Sequence, residues 1–400
     1  MIPSDEVLEA LDLSRADPGA GFLEALFVRF NASVPFENAS KLVRHAEVLD
    51  ADAKPRRPEV FWRDHLERGA GGTCFARVAA FDALLTDLGF RTRRVLGRVR
   101  NPNDHAALLV ETAGGETIAD VGFPLPALLG PGASVVETPT GTLRISASPD
   151  GFRVGFEGGV PEGPRSISIE SASASPELYE RRWRETFRDG STFLGDLSLQ
   201  RHLGPRILSF ARGEIRVDDR YSRLRVPLPG KRAAALSALF DVDEALLSRA
   251  LAIAGDPDPS SPEATLTAYL ETDSSAGRAY EAIGRPQGYR RLLEGLGEVG
   301  PPREIPSGFR LELSPETEGG FAFEEIVTVE PANRRVCVIR RSKTGEQSSS
   351  YRVREEDGRT WLEREARLSG AREDLLRNDS LRGRLAGALA LDVLAWSRLL

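Results

Sequence analysis

The chain has 400 residues, 40% of them apolar and 28% charged, which is typical of a globular protein with two or three compact units. Its formal net charge of −7 argues against a nucleic-acid partner bound through a broad electropositive face, and no apolar run suits a membrane span or a secretory signal. Two cysteines cannot form a disulfide framework, and four scattered histidines show no metal-binding spacing. We therefore expect a cytoplasmic protein with no metal, nucleic-acid or membrane partner.

Residues 1–92 are predicted to form a mainly helical segment. Its best-defined helix begins after Thr73, a suitable N-cap, and ends at Gly89. One face of this helix is apolar, through Phe75, Val78, Phe81, Leu85 and Leu88. Cys74 therefore lies in the first turn.

Residues 93–204 read as strands, among them Arg94 to Val99, His105 to Val110 and Thr117 to Val121. The pair Gly114-Gly115 indicates a hairpin between the last two strands. This segment is expected to be a small β-rich unit.

Residues 205–262 combine strands with a helix from Asp243 to Ile253 and end in a linker rich in proline and serine. Residues 263–400 are predicted to be helical at first, then an antiparallel sheet, then a final helix capped by Ser380. The pattern as a whole predicts an α+β protein of four segments, 1–92, 93–204, 205–262 and 263–400.

Cys74 is the candidate nucleophile. The first turn of a helix favours a thiolate, because its unpaired N–H groups and the helix dipole stabilise negative charge. The preceding Gly71 and Gly72 would let the backbone turn sharply and leave room for a substrate carbonyl. The alternative is a small buried apolar residue, which is the usual role of a cysteine in such a place.

His105 and Asp120 are the candidate base and its orienting carboxylate. His105 opens one strand, and Asp120 stands near the end of the next within Ile118 to Phe123. A carboxylate buried in an apolar strand needs a partner, and His105 is the obvious one. A turn centred near Thr112-Ala113 would put the two residues directly opposite, whereas one centred on Gly114-Gly115 would separate them by about 13 Å along the strand.

Five motifs in this order resemble those of the arylamine N-acetyltransferases. They are Val34-Pro35-Phe36-Glu37-Asn38, Gly71-Gly72-Thr73-Cys74-Phe75, Leu88-Gly89-Phe90, His105 with Leu108-Leu109-Val110, and Asp120-Val121-Gly122-Phe123. The resemblance covers about residues 5–255 and implies a helical bundle, a β-barrel and an α/β lid. The region from about 263 has no counterpart at the usual length of that family.

The resemblance implies a catalytic triad in which Cys74 accepts the acyl group, His105 is the base and Asp120 orients it. It also implies substrate contacts at Gly122 and at Phe123, which would border the acyl pocket, with Phe36 supporting them. Family members take acetyl from acetyl-CoA and pass it to an arylamine, arylhydrazine or arylhydroxylamine.

The sequence departs from the family pattern beside the cysteine. The usual arginine, glutamate and asparagine are replaced by Ala70, Ala76 and Val78. Arg68 lies two positions too early to be a simple replacement, and Pro124 stands where a glycine normally follows. These changes leave the three reactive residues intact but alter the polar network around them.

Three functions follow from these observations. The first is acetyl transfer from acetyl-CoA to an arylamine or arylhydrazine through an acyl-cysteine. The second keeps the same chemistry but forms an amide from a longer or carrier-bound thioester, as the altered surroundings of Cys74 and the extra C-terminal region suggest. The third is a binding protein on the same fold, with Cys74 an ordinary thiol.

Overall fold

The computed structural model describes residues 2–130, 132, 134–157, 166–228, 232–255, 264–293, 298–314, 323–342, 345–356 and 358–368. The chain divides into two compact units, one from residues 1–219 and 227–260 and one from residues 220–226 and 261–400. Both units combine helices with antiparallel strands, so the protein is α+β as expected. The predicted segment 205–262 contributes to both units, because a strand at its centre lies in the second unit and its helices lie in the first.

The first unit has a helical part with an aromatic core. Its helices are α1 (Ser4–Ala10), α2 (Ala20–Ser33), α3 (Ala39–Glu47), α4 (Pro58–Arg68), α5 (Cys74–Asp87), α6 (Pro176–Glu185), α7 (Arg232–Phe240) and α8 (Glu244–Ala254), with a 3₁₀ turn at Ala51–Ala53. The ring of Phe30 lies 5.8 Å from Trp62 and 4.8 Å from Phe81, joining α2, α4 and α5. Helix α5 is buried through most of its length, so Cys74 is fixed by packing around the whole helix.

The strands of the first unit form two antiparallel sheets. They are β1 (Phe36–Glu37), β2 (Thr92–Arg98), β3 (Pro102–Thr112), β4 (Gly115–Ala119), β5 (Val135–Thr138), β6 (Gly141–Ser148), β7 (Gly151–Glu157), β8 (Ser166–Ser173), β9 (Ser198–Leu203), β10 (Arg206–Ala211) and β11 (Glu214–Asp218). One sheet has the order β4-β3-β2-β8-β7-β6-β5, and the other joins β1, β9, β10 and β11. The predicted strands of residues 93–121 are thus observed.

The β3–β4 hairpin has neither of the two registers considered from the sequence. Thr112 pairs with Gly115, so the turn consists of Ala113 and Gly114. The ladder ends at the pair Leu108 and Ala119, and the chain then leaves the sheet in a turn. Asp120 is therefore the first residue after β4 and is free of the strand register.

The second unit is built on an antiparallel sheet. Its strands are β12 (Ser222–Pro227), β13 (Ala264–Thr272), β14 (Glu298–Val299), β15 (Arg303–Ile305), β16 (Gly308–Ser314), β17 (Phe323–Glu330), β18 (Arg335–Ser342), β19 (Gly345–Glu356) and β20 (Arg359–Leu368), and its helices are α9 (Ala276–Gly284) and α10 (Pro286–Leu293), with a 3₁₀ turn at Pro331–Asn333. Their order is β12-β13-β20-β19-β18-β17-β16-β14, with β15 also on β16. The final helix predicted after Ser380 lies outside the described residues.

None of the helices in the described part of the chain combines the length and the apolar character that spanning a membrane requires.

Candidate active site

Cys74 is the first residue of α5 and lies in the wall of a cavity of about 530 Å³ in the first unit. Only 8% of the residue is exposed, and its Sγ lies 4.0 Å from the backbone oxygen of Asp104. Thr73 occupies the N-cap position as predicted, but its side chain makes no capping hydrogen bond. The N–H groups of the first turn are therefore available to stabilise negative charge at this end of the helix.

The two glycines before Cys74 allow two segments of the chain to pack closely. A side chain on Gly71 would lie 1.7 Å from the oxygen of Pro35, and the N–H of Gly72 donates to the same oxygen over 3.3 Å. Glu37 in β1 in turn donates its N–H to the oxygen of Gly72 over 3.2 Å. The glycines thus allow β1 to lie directly against the loop that leads into α5.

His105 and Asp120 lie side by side in the interior. Nε2 of His105 is 2.7 Å from Oδ2 of Asp120, and the residues are 2% and 0% exposed. The other carboxylate oxygen accepts the N–H of Phe123 over 2.8 Å, which closes the turn after β4. This turn brings Asp120 to His105 although the hairpin register alone would not. The approach of the two groups expected from the sequence is therefore observed.

The charge state of His105 is set by its neighbours. Burial lowers the pKa of the imidazole. The negative charge of Asp120 and hydrogen bonds to Asp120 and Cys74 together have a larger effect in the opposite direction, so the pKa is raised from 6.5 to about 10. His105 is then an imidazolium at neutral pH, with Nε2 donating to Asp120. The imidazolium therefore places a positive charge and a hydrogen-bond donor beside Cys74.

The other residues singled out from the sequence also line the cavity. Phe36, Gly122 and Phe123 lie in its wall together with Cys74 and His105. A side chain on Gly122 would come within 3.0 Å of Cβ of Cys74 and 3.1 Å of Cε1 of His105. The ring of Phe123 stands nearly perpendicular to that of His105, at a centroid distance of 6.4 Å. Apolar side chains therefore border the space directly in front of the sulfur.

Arg56 provides a buried guanidinium next to the cysteine motif, in which Ala70 replaces the usual arginine. This arginine is 4% exposed and donates through Nη2 to the oxygen of Gly71. It also lies 3.2 Å from a carboxylate oxygen of Asp64 and 3.7 Å from one of Glu37, both of which balance its charge. Arg56 precedes α4 and is distant in sequence from the cysteine motif, so the motif gave no sign of it.

Arg77 is the second buried arginine near Cys74. It is fully buried, and its guanidinium donates to the oxygen of Val121 over 2.7 Å, to the Asn31 side chain over 2.8 Å and to the oxygen of Val34. It also stacks 4.7 Å from the ring centre of Phe30. One side chain thus connects α2, α5 and the turn that carries Asp120. No pattern in the sequence indicates this role of Arg77.

The other cysteine of the chain and a further histidine both have structural partners. Cys337 is partly buried in β18, within 3.3 Å of a carboxylate oxygen of Glu330. His202 pairs with the oxygen of Pro124 at 3.0 Å and so supports the turn after Asp120. In the part of the chain that the structure describes, no three histidine, cysteine, aspartate or glutamate side chains cluster as metal ligands would.

Comparison with known proteins also finds a similarity to N-acetyltransferases in the N-terminal part of the chain. Residues 21–150 match the family model described as N-acetyltransferase. Over 145 residues the chain is 32% identical to the arylamine N-acetyltransferase of Escherichia coli (strain K12), a match that covers 34% of this chain and 49% of that protein. The chain therefore spans about half the length of the curated relatives that it matches in sequence.

Solved structures share the fold over a longer stretch. The arylamine N-acetyltransferase of Salmonella typhimurium superposes with a TM-score of 0.53 at 22% identity, covering 62% of this chain and 97% of that one. The Mycobacterium marinum enzyme in complex with CoA gives 0.53 at 18% identity, covering 63% and 98%. More than a third of this chain has no counterpart in either structure. Over residues 21–150 the chain is therefore similar in sequence to the arylamine N-acetyltransferases.

Proposed function

We propose that this protein is a cysteine acyltransferase that moves an acetyl group from acetyl-CoA to an arylamine or arylhydrazine through an acyl-Cys74 intermediate. The observation that supports this most is the meeting of a helix-start thiol with the His105–Asp120 pair at the wall of one cavity. The similarity to arylamine N-acetyltransferases supports acetyl as the group transferred, and a structure of similar fold was solved as a complex with CoA.

In the first step the Cys74 thiolate attacks the thioester carbonyl of acetyl-CoA. The bond from carbonyl carbon to Cys74 sulfur forms, the bond to the CoA sulfur breaks, and the imidazolium of His105 gives its proton to the departing CoA thiolate. The N–H groups at the start of α5 stabilise the oxygen while it carries negative charge. The products are free CoA and acetyl-Cys74, with His105 now neutral.

In the second step the amine nitrogen attacks the acyl-Cys74 carbonyl. Neutral His105 accepts a proton from the nitrogen, the carbon–sulfur bond breaks, and Cys74 leaves as a thiolate beside the restored imidazolium. Asp120 holds the ring in one orientation and stabilises its charge throughout. The buried position of the pair keeps water away from the reacting atoms.

The test is intact-mass analysis after incubation with acetyl-CoA. The wild-type protein should gain one acetyl group, and Cys74→Ala should gain none and lose turnover with an arylamine. Cys337→Ala is the matched control, since it removes the other thiol of the chain, and should still be acetylated. Full turnover in Cys74→Ala would disprove the mechanism.

A second candidate function keeps these steps but uses a longer or carrier-bound thioester. It is supported by the size of the cavity, about 530 Å³, and by the length of the chain, more than a third of which has no counterpart in either solved structure. A thioester panel followed by intact mass separates the two functions. Labelling of Cys74 by acetyl-CoA supports the first, and labelling only by longer or carrier-bound chains supports the second.

A further inference from the structure

Lys41 lies in the wall of the same cavity and carries a positive charge there, whereas Phe36 and Phe123 in the same wall are apolar. It belongs to the first turn of α3 and is only 5% exposed. Lysine is almost never buried to this degree unless an acidic partner compensates its charge. The buried charge of Lys41 therefore calls for an acidic partner.

The protein itself provides little for the ammonium group. Nζ donates to the oxygen of Thr192 over 3.2 Å and lies 5.3 Å from the ring centre of Phe187. Within the described residues, no carboxylate oxygen lies within 4.0 Å of it. An ammonium group has three N–H donors, so a single backbone acceptor leaves capacity for a ligand.

The two carboxylates that line the cavity are already engaged elsewhere. Asp104 accepts the backbone N–H groups of Val99, Arg100 and Asn101 at 2.7–3.0 Å. Glu185 pairs with Arg182 at 2.9 Å and with Arg188 at 3.7 Å. Neither carboxylate of the wall therefore pairs with Lys41, and Nε of Arg182 is a further buried donor without a protein acceptor.

Burial lowers the pKa of Lys41 to about 8, while the negative charge of Cys74 opposes this shift. Most of the ammonium is therefore still protonated at neutral pH, and it is held out of bulk water near the sulfur. A buried cation gains most from a partner of opposite charge that also accepts its hydrogen bonds.

We propose that Lys41 binds a carboxylate of the substrate, so that this cavity selects an acidic molecule over its neutral analogue. The inference rests on the proposed function for the chemistry at Cys74 and adds the substrate class. The carboxylate can belong to the acyl chain or to the acceptor amine, since both occupy the space before the sulfur. The competing role is purely electrostatic support of the thiolate, which would be indifferent to substrate charge.

The activity test has two arms. The acceptor arm compares 4-aminobenzoate with aniline, using acetyl-CoA as donor. The donor arm compares succinyl-CoA with butyryl-CoA by the rate of acyl-Cys74 formation. In the arm that contains the natural carboxylate, Lys41→Met should reduce kcat/KM for the acidic member about tenfold to a hundredfold relative to the neutral one, the effect of losing one charged hydrogen bond.

Two variants control for charge and for folding. Lys41→Arg keeps a cation and should retain most of the preference for the acidic substrate. Lys54→Met makes the same exchange outside this cavity, where the ammonium donates to the backbone of His45, and should leave the preference unchanged. An equal loss on acidic and neutral substrates in both arms of Lys41→Met would overturn the proposal.

A binding measurement separates this inference from the proposed function. If no thioester labels Cys74, the proposed function fails, but calorimetric binding of 4-aminobenzoate and of succinate still tests Lys41. At least one of the two should bind the wild-type protein about tenfold or more tightly than Lys41→Met. Acyl transfer with no preference for the acidic substrates would instead leave the proposed function standing and remove only the role of Lys41.

Discussion

Two neighbouring regions of the protein differ in how closely they follow the family motifs. One is the proposed catalytic trio of Cys74, His105 and Asp120, and the other is the set of polar residues around helix α5. The trio has the residue types that the motifs require, and the fold brings its members together. Around α5, by contrast, the expected arginine, glutamate and asparagine are absent, and Arg56 and Arg77 provide the buried hydrogen bonds. The two regions are adjacent, yet only one keeps the expected residues.

The difference has a physical reason. Acyl transfer of this kind needs a nucleophile, an imidazole and a group that orients the imidazole within reach of each other, and few residue types can take each role. A buried backbone oxygen, however, needs only a donor at the right distance, whatever part of the chain provides it. A long guanidinium with five donors can serve several such oxygens from a new position.

The largest effect is expected from Asp120→Asn, which tests whether the trio tolerates any exchange. The amide removes the charge that raises the pKa of His105 while nearly preserving the shape of the side chain. We expect kcat/KM for acyl transfer to fall about a thousandfold or more. Loss of less than about tenfold would show that the carboxylate is a structural partner only.

The same variant makes a prediction about pH. In the wild-type protein His105 has a folded pKa of about 10, above its ordinary value of 6.5, so the stabilisation from its charged pair is complete below pH about 6.5 and is lost as the pH rises through 10. NMR of the ring protons should show His105 titrating near pH 10 and at a lower pH in Asp120→Asn. Burial lowers the pKa of both His65 and His202 to about 4, which separates their signals from this transition.

Arg77→Met tests the surrounding region in the opposite sense, by removing the residue that replaces the family network. It leaves the oxygens of Val34, Val121 and Asn31 without their donor, and we expect a loss of about 3–5 kcal/mol in the free energy of unfolding of the first unit. Urea denaturation measures it. Arg63→Met in α4 is the matched control, since Arg63 is exposed, and should change stability by less than about 0.5 kcal/mol.

The smallest effect is expected at two glycines. A side chain in Gly122→Ala would lie 2.3 Å from the oxygen of Ala106 and 3.0 Å from Cβ of Cys74, so we expect a loss of about 1–3 kcal/mol in stability and reduced acylation. Gly21→Ala in α2 has no atom within 4 Å and should stabilise the protein by about 0.5–1 kcal/mol. Thermal unfolding compares them. Equal stability changes in Gly122→Ala and Gly21→Ala would show that the neighbours of Gly122 leave room for a side chain.

Much of this arrangement can be predicted from the sequence because it is local. The start of α5 at Cys74, the strand that carries His105 and the strand after it follow from apolar periodicity and turn residues. The approach of Asp120 to His105 follows from the cost of burying an isolated carboxylate. The hairpin register was not predicted, because the ladder ends at Ala119 and a turn rather than strand pairing places Asp120.

The buried cations could not be predicted in the same way. Lys41, Arg56 and Arg77 are long charged residues that normally lie at the surface, and no local pattern distinguishes them from the exposed arginines of this chain. Their burial depends on contacts with residues distant in sequence, such as Thr192 for Lys41 and Val121 for Arg77. The division of residues 205–262 between two units has the same origin. Strand β12 pairs with β13, although the helices α7 and α8 separate the two strands in sequence.

The chain carries two thiols, and the fold gives one to each compact unit: Cys74 to the first and Cys337 to the second. Cys337 is partly shielded in β18 and becomes fully accessible to an alkylating reagent only when the second unit opens, whereas Cys74 faces the cavity of the folded first unit. Pulse labelling followed by peptide mapping can therefore record access to the cavity and the opening of the second unit separately in one sample of unmodified protein. The natural cysteine distribution thus supplies a pair of built-in reporters without any engineered label.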